Sequence, residues 1–279
     1  NILRQISMFG IVVVGYTMVM ISGGCDMSVG GQLALCGMFA ATLNVTYGLP
    51  TFVVVILTLM LGALFGLING LLMNVFNIMP LIVTLGTMLF FQGASYIISG
   101  GVAIFGLSDS FKFIGQGYLG FVPLPIVILL VIGMLGYIVL HKTYFGRQIY
   151  AMGGNPEAAR LAGVNIKKYR LAVFTITGIL AAVAGIIMAA RTGSAQPSAG
   201  ASYPFDCMTA VVLGGVSFAG GSGSMLGAMM GVIIIGVLNN GMQLIGMDSN
   251  MINCVKGIVL LIAIGIDSVQ RTGKKVKKV

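Results

Sequence analysis

Six acidic side chains, fifteen Lys and Arg and one His are all the charge this 279-residue chain carries. Each polar group inside an apolar run is therefore a candidate for chemistry. Asp26 and Asp206 head two corresponding segments, DMSVGG and DCMTAV, each leading into an apolar run. An aspartate in such surroundings is expensive and by default functional, but capping a helix that starts inside the protein offsets the cost by accepting backbone N–H bonds. Capping is the favoured reading for both, with solute contact or a proton role as alternatives. Asn69, Asn74, Asn239, Asn240 and Gln243 are the main amide groups of the apolar runs. They could bond a solute hydroxyl, although bonds between helices are their commoner use. Asp26, Ser28, Asn69, Asp206, Asn240 and Gln243 are the candidates for a polar route, and Lys256, early in the last run, is placed to snorkel, with pairing to an acid as the alternative.

Other chemistries have few residues to work with. Cys25, Cys36, Cys207 and Cys254 are far apart without metal-ligand spacing and read as core residues. His141, beside Lys142, reads as a solvated or dipole-facing histidine at a helix end. With no His or Cys/Glu cluster for a catalytic site, the chain is expected to be a transport subunit, not an enzyme, with neither metal nor cofactor. No Gly-rich phosphate loop ending in Lys-Ser or Lys-Thr is present, so any ATP must be bound by another chain.

The elements that position these residues follow from composition. Hydrophobic residues make up 58% of the chain and charged ones 8%, against about 25% charged in a soluble domain. The mean hydropathy is +1.06, which excludes a water-soluble globule. At about 20 residues per membrane-spanning helix, an all-α polytopic bundle is implied, and 42 glycines point to close helix contacts. Apolar runs over Met8 to Ile21, Ser28 to Val45, Thr51 to Phe76, Pro80 to Ser99, Pro123 to Leu140, Leu171 to Ala190, Phe205 to Ala219, Met225 to Ile245 and Met251 to Ile266 give nine spans in one domain, residues 1–279.

Charge distribution orients them. Eleven of the fifteen basic residues lie in 141–170 and 271–279. That pattern marks a cytoplasmic loop and a cytoplasmic tail, and not a nucleic-acid surface. An even number of crossings must separate the two, so the short Phe205 run is expected to cross. Counting back puts Asn1 outside, from which a preceding in-to-out helix and a ten-span chain are expected. An internal repeat agrees with ten: LGALFGLINGLLMN from Leu61 resembles LGAMMGVIIIGVLNN from Leu226, an offset of 165 residues. The partners lie an odd number of spans apart, so the halves run in opposite senses, an arrangement recurrent in transporters. Gly62, Gly66 and Gly70, and Gly227 with Gly231, form small-xxx-small steps for packing.

The basic loop carries its own helix. Asn155 is a good N-cap, Pro156 suits the first helical position, Glu157 suits the positive dipole end and Gly163 is a natural stop. Flanked by Gly153 and Gly154, this two-turn helix reads as a docking element for a cytoplasmic partner.

GGNPEAARLAGVN, the run ISGGCDMSVGGQLAL from Ile21 and AARTGSAQPSAGASYPFDCMTAVVLGGVSFAGGSGSMLG from Ala189 resemble the three signature regions of bacterial ABC permeases for ribose, galactose and related monosaccharides. The resemblance covers nearly the whole chain. It implies a permease dimer, with a second copy or a paralogue, embedded in the lipid of the bacterial cytoplasmic membrane. An extracytoplasmic sugar-binding protein would feed it and a cytoplasmic ABC ATPase would drive it. It further implies that Gly154, Asn155, Pro156, Glu157, Ala158, Ala159, Arg160, Leu161 and Gly163 form the coupling helix, with Ala158, Ala159 and Leu161 in an apolar groove of the ATPase and Glu157 and Arg160 at its rim. The chain departs from the family pattern with Phe205 before Asp206, where an acidic residue is common, and Cys25 before Asp26, where an aliphatic one is usual. Alternatives are an ABC importer for a nucleoside, a furanose autoinducer or a branched-chain amino acid, and, in another class, an ion-coupled secondary transporter using Asp26 and Asp206 as a titratable relay.

The topology is directly testable. A single cysteine at Ser198 should label from outside the cell, and cysteines within 141–170 only from the cytoplasm; labelling of Ser198 from the cytoplasm alone would refute the parity assignment.

Overall fold

The computed structural model describes residues 2–276, with side chains described over 3–269. The chain runs through α1 (Ile2–Ile21), α2 (Val29–Val45), α3 (Thr51–Phe76), α4 (Pro80–Ser99), α5 (Asp109–Gln116), α6 (Leu124–Lys142), α7 (Tyr144–Gly154), α8 (Pro156–Leu161), α9 (Ile166–Thr192), α10 (Tyr203–Leu213), α11 (Met225–Leu244) and α12 (Ser249–Val276). Its strands are two-residue pairings, Ile104–Phe105 with Ser194–Ala195 and Tyr118–Leu119 with Val122–Pro123. Local sequence sets the boundaries. Pro80 opens α4, Ser224 caps α11 through the Gly227 amide at 3.0 Å, and Gly100 and Gly193 close α4 and α9 in the left-handed conformation.

Each of the nine apolar runs forms a helix. Seven are long and apolar enough to cross a membrane, whereas α2 and α10 are shorter. The expectation for the Phe205 run is thereby modified. Two glycines, Gly214 and Gly215, stop α10 after 11 residues, about 16 Å, and residues 214–224 continue as irregular chain. Such chain is tolerated at membrane depth only where protein satisfies its backbone. Tyr150 donates to the Gly223 carbonyl at 2.7 Å, the Phe218 amide donates to Asp267 at 3.2 Å, and the Gly221 amide donates to the Ile21 carbonyl at 2.8 Å. The last helix also outruns its expected end: α12 continues to Val276, through part of the basic tail at 271–279. The tail's side chains and residues 277–279 lie outside the described residues.

The halves of the repeat interlock with opposite sense. The end of α1 approaches the start of α9 at Phe174, while Arg4 near its beginning bonds Gln116, which in turn bonds Arg191 near the end of α9. Asn74 at the end of α3 bonds the Lys167 carbonyl at the start of α9, whereas Gly236 near the end of α11 meets Ile6 at the start of α1. Each half thus places its first helix against the other half: α9 packs on α2 and α3, and α1 on α10 and α11. Helix α1 is almost wholly buried, and α4, α6 and α12 turn apolar faces such as Leu89, Leu130 and Leu261 outward.

Glycines permit these crossings. A Cβ on Gly66 would lie 2.2 Å from the Phe174 carbonyl oxygen, and Gly62 and Gly178 abut each other's backbone. The small-residue steps Gly62/Gly66/Gly70 and Gly227/Gly231 therefore pack within one chain, on α9 and on α10. Gly66→Ala should lower folded yield and melting temperature, at a cost of about 1–3 kcal/mol or more. Gly86→Ala on α4, where a Cβ meets nothing within 4 Å, should leave both unchanged. Equal behaviour of the two variants in a thermal unfolding scan would contradict this packing.

Candidate functional site

At the end of the bundle carrying the basic 141–170 stretch, α7 and α8 lie across the helix ends. The Asn155 side chain accepts from the Ala158 amide at 3.0 Å, Pro156 occupies the first turn, and Glu157 pairs with Arg160 at 3.2 Å on the exposed face. Gly163, at φ +87°, ends the helix, with the Val164 amide donating to the Ala159 carbonyl at 3.0 Å. The expected trio does not share one face. Leu161 is 82% exposed and Ala158 is exposed, but Ala159 is only 5% exposed. Ala159 supports the helix from inside and has no surface to offer a partner.

Behind α8, three glycine pairs meet. A Cβ on Gly153 would lie 1.8 Å from the Ile21 carbonyl oxygen, one on Gly220 2.7 Å from Gly23 Cα, and one on Gly221 2.5 Å from Gly154 Cα. Gly23–Gly24 begins the irregular stretch before α2, and Gly220–Gly221 belongs to the stretch before α11. The element under α8 thus bears on irregular chain from both halves, beside a cavity of about 280 Å³ that Arg170 and Pro156 help line. His141, partly buried in the last turn of α6, keeps the expected helix-end position and adds a tertiary contact. Its Nε2 accepts the Met225 amide at 3.1 Å, tying the end of α6 to the start of α11.

Inside the bundle the candidate polar residues fall into two groups. Asp26, Ser28 and Asn69 form a hydrogen-bonded knot with Gln32, all fully buried, in which Asp26 Oδ2, Gln32 Oε1 and Asn69 Oδ1 have no protein partner. The Ser28 amide and hydroxyl donate to Asp26 Oδ1, and Gln32 and Asn69 donate to Ser28 Oγ at 2.6 and 2.8 Å. Asp26 accepts one backbone amide just ahead of α2, so it does not cap the helix's first turn; Ser28 stands at the N-cap position with no side-chain cap bond.

Asp206 departs further from the expected cap. It lies within the first turn of α10, where Oδ2 accepts from Lys256 Nζ at 3.0 Å and from Ser202 Oγ at 3.0 Å. Lys256 therefore does not snorkel; with side-chain exposures of 15% and 8%, it and Asp206 form an internal ion pair. The pair faces a cavity of about 920 Å³ between α10, α12 and the 196–202 loop. Gln243 lines it, and also lines an adjoining cavity of about 160 Å³ with Asn239. Asn240 lines neither, since Asn239, one helical step back, takes that direction. Asn253 and Ser202, absent from the expected route, line the large cavity too. Of the four cysteines, Cys25, Cys36 and Cys207 are buried as expected, but Cys254 is exposed on α12.

Relatives bear on what this arrangement serves. The family described as "Branched-chain amino acid transport system / permease component" matches residues 1–264. The ribose import permease protein of Bacillus subtilis (strain 168) is 41% identical over 269 residues, covering 96% of this chain and 83% of the relative. That of Escherichia coli (strain K12) is 40% identical over 272 residues, covering 96% and 84%. The galactose/methyl galactoside import permease protein of Haemophilus influenzae is 36% identical over 293 residues, covering 99% and 87%. No solved structure gives a significant match. The chain belongs to the branched-chain amino acid transport system / permease component family, and stands there beside the monosaccharide import permeases of ABC transporters.

Proposed function

We propose that this protein is the permease subunit of a binding-protein-dependent ABC importer that carries a monosaccharide, a pentose or hexose, inward across the bacterial cytoplasmic membrane. The observation that carries the reading is identity of 34% or more, over nearly the whole chain, to permeases named for ribose, xylose and galactose. The same identities favour a sugar over the amino acids in the family's description. An extracytoplasmic binding protein delivers the sugar, a cytoplasmic ABC ATPase supplies the work, and a second permease copy or paralogue completes the transporter.

In this reading the 141–170 stretch and the basic tail face the cytoplasm, and Gly154 to Gly163 is the coupling segment. Its cap and its internal support at Ala159 make α8 a rigid peg, with Leu161 and Ala158 on the docking face. Force applied there passes through Gly153 and Gly154 to the irregular chain of both halves. Those contacts are backbone on backbone, with no flexible side chain between them to absorb the displacement. The halves then rock about the α1–α9 crossing, opening to one side and the other in turn. An ion-coupled relay has weaker support, because Asp206 is held by Lys256 in an ion pair.

Leu161→Asp should cut co-purification of the ATPase at least tenfold while leaving the folded yield of the permease unchanged, since 161 is exposed. Ala159→Asp should instead lower folded yield. The assignment is wrong if charged substitutions at Ala158, Arg160 and Leu161 all leave co-purification, stimulated ATP turnover and sugar uptake at wild-type levels.

A further inference from the structure

We propose that the cavity between α10 and α12 is the membrane-embedded solute site, and that the Asp206–Lys256 pair is its recognition element for a neutral polyhydroxylated ligand. The inference rests on the monosaccharide reading above and adds to it where in the membrane the sugar is held and by which groups.

A cavity of about 920 Å³ falls within the range of about 300–1,000 Å³ typical of small-molecule sites. Its wall is mixed, with Met188, Ile252 and Leu260 beside a polar set that a lipid groove would not carry. Asp206, Lys256, Gln243, Asn253 and Ser202 all line it, whereas acyl chains require an apolar surface, and charged groups at membrane depth line water-filled routes. The charges are opposite in sign and hydrogen-bonded to each other, so the wall favours neither a cation nor an anion. A carboxylate that accepts and an ammonium that donates, 3.0 Å apart, suit adjacent hydroxyl groups, each of which both donates and accepts. Phe205, 51% exposed, lines the same cavity beside Asp206. Its ring offers an apolar face to the C–H side of a sugar, while the adjacent carboxylate takes the hydroxyls. The replacement of the acidic residue common at 205 by Phe thus falls on the cavity wall and bears on which sugar is accepted. Sharing of Ser202, Tyr203, Asp206, Gln243 and Lys256 with the adjoining cavity near Phe9 extends the polar wall toward α1. That extension connects the site to the central crossing about which the halves are proposed to move.

Gly257 provides a test that leaves the packing alone. It lines the cavity, and a Cβ there meets nothing within 4 Å; Gly265, two turns further along α12, is equally free and does not line it. Gly257→Phe projects a bulky ring into the cavity, and Gly265→Phe is the matched control. The complete transporter, with its ATPase and binding protein, is reconstituted in vesicles and offered radiolabelled D-ribose, D-xylose and D-galactose. Gly257→Phe should preserve folded yield and ATPase co-purification and reduce uptake at least tenfold, while Gly265→Phe retains wild-type uptake. The double variant Asp206→Asn/Lys256→Gln, which leaves no lone charge, should fold and raise the sugar concentration for half-maximal uptake at least fivefold. Wild-type uptake by Gly257→Phe, or an unchanged half-maximal concentration in the double variant, overturns the site while leaving the importer reading intact. If the wild type carries none of the three sugars, the monosaccharide reading falls and the site with it.

Discussion

A chain that leaves helical geometry inside a membrane must find protein partners for its backbone, because no water is there to supply them. This chain does so at residues 22–28 and 214–224, and much of the architecture follows from meeting that demand. The Gly221 amide reaches the Ile21 carbonyl, Thr84 donates to the Cys25 carbonyl, and Tyr150 and Asp267 serve the second stretch from two other helices. Such contacts require backbone to meet backbone, and Gly23, Gly153, Gly220 and Gly221 allow that approach. The same approach sets the irregular stretches of both halves against the element beneath α8. Backbone satisfaction and the route proposed for mechanical force thus use one set of contacts.

Charge is used with similar economy. Burial of an ion pair carries a desolvation cost that its attraction only partly offsets, so a pair retained at membrane depth needs a further reason to be there. Asp206 and Lys256 lie on the wall of an open cavity with a mixed polar and apolar lining, where hydration or a polar solute lowers that cost. Asp26 meets part of its demand locally, through Ser28 on Oδ1, and Asn69 and Gln32 fasten that group to α3 and α2. The two aspartates, similar in sequence setting, therefore serve different ends: one stitches helices together, the other faces open space.

Elements marked by local signals were legible in the sequence. Thr51 to Phe76 and Pro80 to Ser99 are bounded by proline, asparagine and glycine and match their helices at both ends. The α8 cap was equally legible, since Asn155, Pro156, Glu157 and Gly163 act within a few residues of one another. What escaped was set by distant contacts or by helical phase. Lys256 lies 50 residues from Asp206, and nothing local to either reports the pairing. The inward turn of Ala159 and the choice of Asn239 over Asn240 depend on how each helix is rotated against its neighbours. His141 reads as solvated or dipole-facing at the end of α6, and its bond to the start of a helix 84 residues later has no local signal. Phe205 read as a departure from a pattern, and only its place on the cavity wall gives it a role.

Whether ATP hydrolysis or an ion gradient supplies the work separates the importer reading from its rival in the other transporter class. The decisive measurement is release of labelled monosaccharide from inside-out vesicles holding the permease and its ATPase, loaded with the binding protein and the sugar, with and without external ATP. The account predicts that the sugar leaves the binding-protein side only when ATP is hydrolysed, and that collapsing proton and sodium gradients changes nothing. Sugar movement that proceeds without ATP or binding protein and stops when those gradients are collapsed would contradict it.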